Sequence, residues 1–155
     1  MPVAEHTTER LTMRATPEQC FAVVTDFERY PDWAADIKQV RVDETDAEGR
    51  AVKVTFRAAA FGRSTTYTLE YDYSGAPHRL SWVEISGDIT NRLDGTYEFA
   101  AIGDDTEVTY HLDVELRVPI PGFVKRRAES RITTLALREL KARVEGGVRE
   151  VPGGR

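Results

Sequence analysis

One cysteine, Cys20, and two methionines are all the sulfur in this sequence, and no apolar run in it reaches the length of a membrane span. A lone thiol excludes an internal disulfide and a multi-cysteine zinc site, and it suits a reducing compartment. The three histidines, at positions 6, 78 and 111, fall in a first strand, a turn and the wet face of a later strand. Spread in this way they do not converge, so neither a metal nor a cofactor is expected. Nucleophile motifs and glycine-rich phosphate loops are missing as well. Positive charge is not in excess: a net charge of −5 removes any general attraction to nucleic acid. The opening residues MPVAEHTTER lack the apolar centre of a secretory signal, which predicts a cytoplasmic protein.

What is present is an ordinary core-forming chain. Its 155 residues, 41% hydrophobic and 30% charged, suit one domain that buries roughly 70% of its unfolded surface. That domain is expected over residues 1–147, with 148–155 as a disordered tail. The segment LTMRATPEQCFAVVTD opens with alternating Leu11, Met13 and Ala15, a strand, and then changes period. Thr16, Pro17 and Gln19 have the spacing of a capping box, so a helix is predicted from Pro17 to about Asp26 with Phe21, Val24 and Cys20 on its buried side. A residue before proline is driven out of helical geometry, so Tyr30 should break the chain before a short helical turn at PDWAAD.

From Ile37 to Leu116 six strands are separated by the turns DAEG, FGR, SGAPH, SGDIT and IGDDT. Val52, Val54, Phe56 and Ala58 alternate with Lys53, Thr55 and Arg57, and Tyr67, Leu69, Tyr71 and Tyr73 with Thr66, Thr68, Glu70 and Asp72. Val108, Tyr110, Leu112 and Val114 likewise alternate with Glu107, Thr109, His111 and Asp113. One dry face and one wet face mark an antiparallel sheet covered on a single side. The cover is PGFVKRRAESRITTLALRELKARVEGG, in which Val124, Ala128, Ile132, Leu135, Ala136 and Leu140 recur at helical spacing and Gly146-Gly147 supplies a stop. About 24 residues of helix rise roughly 36 Å, enough to cross the sheet.

A strand, two short helices, six strands and a long C-terminal helix is the element order of START-like, or helix-grip, proteins, an α+β fold. The stretch ATPEQCFAVVTDFERYPDWAADIKQVRV resembles the opening of the polyketide cyclase/dehydrase and coenzyme Q-binding START-like group, in which a helix ending in Asp is followed by a Tyr-Pro-aromatic corner. RLSWVEISG, LDGTYEFAAIGDDTEVTYHLDVEL and PIPGFVKRRAE resemble the later strands and the start of the last helix. Over residues 5–146 the resemblance implies a curved antiparallel sheet of about seven strands gripping the C-terminal helix, with a cavity between them. It also implies that the two short helices close one end. Pro31 then fixes the corner at the cavity mouth beside Tyr30, and Trp33 is either part of a lid or a plug in the end of the core.

Alternation names the residues that would line such a cavity. Tyr67, Tyr71, Trp82, Tyr97 and Tyr110 project to the dry face, each with a hydroxyl or indole N–H that needs a partner when buried. Ile132 and Leu135 face them from the helix, and Asn91 shares the parity of Leu93 and Tyr97. With Trp33 these are the candidate ligand-binding residues, in a cavity of roughly 300–1,000 Å³. Glu84, on the parity of Leu80 and Trp82, is the candidate catalytic residue: desolvated it would suit a general base, whereas at the strand end it would reach water. The first strand could add Glu9 to the same face. Gly95 interrupts a strand, for a bulge or to admit a neighbouring aromatic ring. Lys125, Arg126 and Arg127 would meet an anionic lipid surface, or form a solvated face balanced by Glu129. These features favour non-catalytic binding, with or without transfer, of a hydrophobic small molecule such as a lipid, isoprenoid, quinone or polyketide. Two alternatives stay open: a metal-independent polyketide cyclase or dehydratase using acid/base chemistry, and a regulatory module whose surface binds a macromolecular partner.

Overall fold

The capping box at Thr16 forms as its spacing requires. Thr16 Oγ1 accepts from the Gln19 amide at 3.1 Å, and Gln19 Oε1 accepts from the Thr16 amide at 2.8 Å. It opens α1 (Pro17–Val24), which follows β1 (Glu5–Met13) and precedes a 3₁₀ turn over Phe27–Arg29. Next come α2 (Tyr30–Trp33), β2 (Ile37–Thr45), β3 (Ala51–Ala60), β4 (Arg63–Asp72), β5 (Arg79–Gly87), β6 (Thr90–Ile102), β7 (Asp105–Leu116) and α3 (Gly122–Arg149). The structure is a computed structural model that describes residues 5–60 and 62–149. Of the tail expected at 148–155, residues 150–155 lie outside the described residues.

All seven strands form one antiparallel sheet in the order β1-β7-β6-β5-β4-β3-β2, so only β1 pairs out of sequence, against β7. The dry parity is buried along every long strand, from Val54, Phe56 and Ala58 through Leu69, Tyr71 and Trp82 to Val108, Tyr110 and Val114. On that side lies α3, packed chiefly against β1, β7 and α1. Leu137, Leu140 and Val144 join Met13, Cys20 and Val24 in the core there. The result is the α+β helix-grip arrangement. Because the helix sits over the β1 and β7 side, the space above β3, β4 and β5 is bridged by side chains instead.

Three local expectations change. Tyr30 is helical, with φ −51° and ψ −41°, and the chain departs from helical geometry earlier, at Asp26. The Tyr30 hydroxyl donates to the carbonyl of Val24, and its ring packs on Phe27, Trp33 and Phe56, contacts that outweigh the pre-proline bias. Along α3 the buried ridge runs through Glu129, Thr133, Leu137, Leu140 and Val144, while Val124 is exposed. An apolar-only pattern misses this ridge because Glu129 is paired there with Lys125. Finally, α3 continues through Gly146 and Gly147 to Arg149.

Candidate functional site

Above β3–β5 the aromatic side chains leave a cavity of about 150 Å³, smaller than the range expected for a small-molecule site. Converging rings take up the remainder. Phe56 and Tyr67 stack at 5.4 Å between centroids, Tyr71 meets Trp82 at 5.7 Å, and Tyr97 meets Tyr110 at 4.7 Å with Trp82 against both. Alanines at 58, 59, 60 and 136 keep the space from closing, and Ile132, Leu135 and Ala136 form its roof on α3. Tyr67, Tyr71, Trp82, Tyr97 and Tyr110 line it as the alternation predicts, and Trp33 at the corner and Ile132 and Leu135 on α3 line it as well. Gly95 makes this possible: an added Cβ would lie 2.7 Å from Trp82 Cε2 and 2.8 Å from the His111 carbonyl, so the glycine admits the indole.

The tyrosines divide into two kinds. Tyr73 donates to the Ala51 carbonyl at 2.7 Å and Tyr30 to that of Val24, bonds that belong to the framework. Tyr67, Tyr71, Tyr97 and Tyr110 line the cavity, and no protein hydrogen bond among the described residues engages their hydroxyls. Burial pushes all four phenols well above their ordinary value, so each stays neutral, able both to donate and to accept.

Asn91 is not in the lining. A register shift between Thr90 and Arg92 turns the strand over, so Asn91 is exposed and Thr90 takes the inward place, 2% exposed. Thr90 donates to Glu84 Oε2, and Glu84 Oε1 is buried without a partner. Desolvation raises the Glu84 carboxyl above its ordinary value, against the lowering effect of the Thr90 bond. Glu84 thus lies behind the cavity wall, reaching it through Thr90. It fits there because residue 87 is glycine; a Cβ at that position would overlap Glu84 Oε2 and stand 2.6 Å from Thr90 Oγ1. The ladder between β5 and β6 covers Arg79–Trp82 and Gly95–Glu98, and beyond it the Glu84 amide donates to Asp94 Oδ1 at 2.9 Å. Thr65 is a second lining residue that alternation makes available but that composition does not single out. Its hydroxyl donates to Asp88 Oδ1 at 2.6 Å. Glu9, opposite Tyr110 in the β1–β7 register, is not part of the lining.

At the mouth, half-buried Trp33 packs on Tyr30 at 5.0 Å, and the connection after it is tied to α3. The Ala35 amide donates to Glu139 Oε2 at 3.1 Å, and Arg131 pairs with Asp36 at 3.3 Å. Of the basic residues at the start of α3, Lys125 turns inward, its ammonium bonded to the Val114 carbonyl and to Glu129. Glu129 is 2% exposed, so it balances a half-buried lysine and not a solvated face. Arg126 and Arg127 remain exposed, beside exposed Phe123 and Val124. No described helix is long and apolar enough to cross a membrane, and no group of three or more His, Cys, Asp or Glu among the described residues could hold a metal.

Solved structures of the same architecture are numerous. A START superfamily protein from Mycobacterium smegmatis superposes with a TM-score of 0.85 at 22% identity, covering 91% of this chain and 97% of its own. The Zhui aromatase/cyclase from Streptomyces sp. R1128 gives 0.85 at 16% identity over 98% of this chain and 100% of its own. Ginseng major latex-like protein 151 from Panax ginseng gives 0.70 at 13% identity over 92% and 98%. Identities this low establish the fold and leave the ligand open. No curated protein matches the chain. The family described as polyketide cyclase / dehydrase and lipid transport matches residues 4–145, nearly the whole chain, and the protein belongs to it.

Proposed function

We propose that the protein binds, without turning over, a hydrophobic small molecule carrying a few oxygen atoms in the cavity between the sheet and α3. The observation behind this reading is the set of four neutral tyrosine hydroxyls, at 67, 71, 97 and 110, which no protein hydrogen bond among the described residues engages, in a mainly apolar lining whose other polar side chains are Thr65 and Thr90 at one end and Asp36 and Glu139 by the mouth. Rings supply the contact area, and hydroxyls orient the ligand's oxygens. At about 150 Å³ the cavity suits a compact ring, and a longer chain would have to leave through the mouth at Trp33. Gentle purification followed by native mass spectrometry tests the reading. A retained small molecule, lost on Tyr97→Ala, is expected; a protein that neither retains a molecule nor takes up apolar ring compounds refutes it.

Glu84 supports the second reading, a metal-independent cyclase; an aromatase/cyclase is among the structural neighbours. A desolvated carboxyl one hydroxyl away from the cavity has the character of a general base. It is the one carboxylate there whose value desolvation raises; Asp88, behind Thr65, is held below its ordinary value, and the lining carboxylates Asp36 and Glu139 are engaged at the mouth with Arg131 and the Ala35 amide. Turnover of a polyketide-like substrate that Glu84→Gln abolishes while binding persists would decide for the enzyme. Transfer is a further part of the proposal. We assign contact with an anionic lipid surface to exposed Phe123 and Val124 with Arg126 and Arg127, and exclude Lys125 from it. Flotation with vesicles should then require anionic lipid and weaken in salt; flotation indifferent to lipid charge, or none, removes this part alone.

A further inference from the structure

Two threonines close the cavity at the end formed by the start of β4 and the β5–β6 turn, and both are tied in the same way. Thr65 and Thr90 are lining residues, 3% and 2% exposed. Each donates its single hydroxyl hydrogen to a carboxylate outside the lining, Thr65 to Asp88 and Thr90 to Glu84. Asp88 also accepts from the Thr66 amide at 3.0 Å. Although burial works against it, the bonds from Thr65 and the backbone hold the Asp88 carboxyl below its ordinary value, so it remains an acceptor. A hydroxyl whose hydrogen is committed can only accept a further bond.

We propose that Thr65 and Thr90 form a hydrogen-bond-accepting end of the cavity, selecting a ligand that presents a hydroxyl donor there, a phenol or an alcohol on a ring in preference to an ether or ketone. This rests on the ligand-binding reading of the cavity and adds its polarity. The tyrosines do not impose it, since a phenol with a free hydrogen serves donor and acceptor ligands alike. At the threonine end an ether oxygen would face another oxygen with no hydrogen between them, leaving both unsatisfied.

Phenol and anisole differ only in that donor. Titrated by NMR into the full chain, phenol should bind about tenfold more tightly than anisole, the equivalent of roughly 1.4 kcal/mol. Thr65→Val and Thr90→Val keep the shape and remove the acceptor, and the ratio should fall toward one in either, while Thr90→Ser keeps it. Should Thr90→Val unfold because Glu84 loses its donor, Thr65→Val carries the test, since Asp88 retains the Thr66 amide. Equal affinities for the two probes in the parent protein overturn the proposal, as does a preference unchanged in the valine variants. If neither probe binds the parent protein, the cavity reading itself fails, a distinct result.

Discussion

Gly95→Ala sets two effects of opposite sign against each other. Replacing a glycine in extended backbone by alanine stabilises by roughly 0.4–1 kcal/mol through the unfolded chain. Here the new methyl overlaps the Trp82 indole and stands 2.8 Å from the His111 carbonyl, a backbone atom held by the β6–β7 ladder. The indole must yield, and it is packed by Tyr71, Tyr97 and Tyr110. Overpacking of this kind costs about 1–3 kcal/mol, and the rigid carbonyl places it toward the upper end, so a net loss of about 2 kcal/mol is expected. For a chain of this size that lowers Tm by roughly 4–8 °C. Tryptophan emission reports the cause, because the chain has two tryptophans and Trp33→Phe leaves Trp82 alone. In that background the emission of Trp82 should shift, and uptake of an apolar dye should weaken as the ring moves into the cavity. An unchanged or higher Tm with unaltered emission and dye affinity would refute the close packing and the role given to Gly95.

Three further outcomes follow from the same contacts. Trp33→Ala should speed dye uptake far more than it lowers Tm if the corner is a lid; unchanged uptake with a loss of about 3–5 kcal/mol would make it a plug. Lys125→Met should cost about 3–5 kcal/mol in denaturant unfolding, because Glu129 is left buried without its partner, and Lys125→Met/Glu129→Leu should recover most of that; a neutral single variant contradicts the buried pair. The raised Glu84 carboxyl means that the folded state holds this proton more tightly than the unfolded chain. Its stabilising effect is therefore complete below the ordinary value of 4.5 and is lost as pH rises through the folded value. Glu84→Gln should accordingly gain stability relative to the parent as pH is raised from 4 to 8, and parallel stability curves would show the carboxyl to be unshifted.

Wherever the ladder is regular, period-two alternation reaches the correct face. Tyr67, Tyr71, Trp82, Tyr97 and Tyr110 needed nothing more, and the capping box at Thr16 and the long last helix were equally legible. Alternation fails one residue beyond a register shift, which is why the rule points Asn91 inward and passes over Thr90; no local signal in ITNRL marks the shift. The ridge of α3 escapes the apolar pattern for a different reason. Hydrophobic periodicity does not count a glutamate, and Glu129 is buried only because Lys125 folds back over it within one turn. Cavity size lay beyond reach as well, since it depends on how far converging rings fill the space, a tertiary quantity that residue identity does not encode.

The irregular part of the sheet and the threonine end of the cavity coincide, and the physics explains why. An unbroken antiparallel ladder satisfies its amides and leaves inward side chains no polar partner but one another, so an apolar lining is its natural product. Where β5 and β6 part beyond Trp82 and Gly95, amides and threonine hydroxyls must find acceptors, and the side chains of Glu84, Asp88 and Asp94 supply them. Glu84 and Asp88 stand outside the lining but set the direction of the threonine hydroxyls within it. The same break that defeats the alternation rule therefore gives the cavity a threonine end distinct from its mouth, where Asp36 and Glu139 stand, and on the reading proposed above that difference would orient an oxygenated ring.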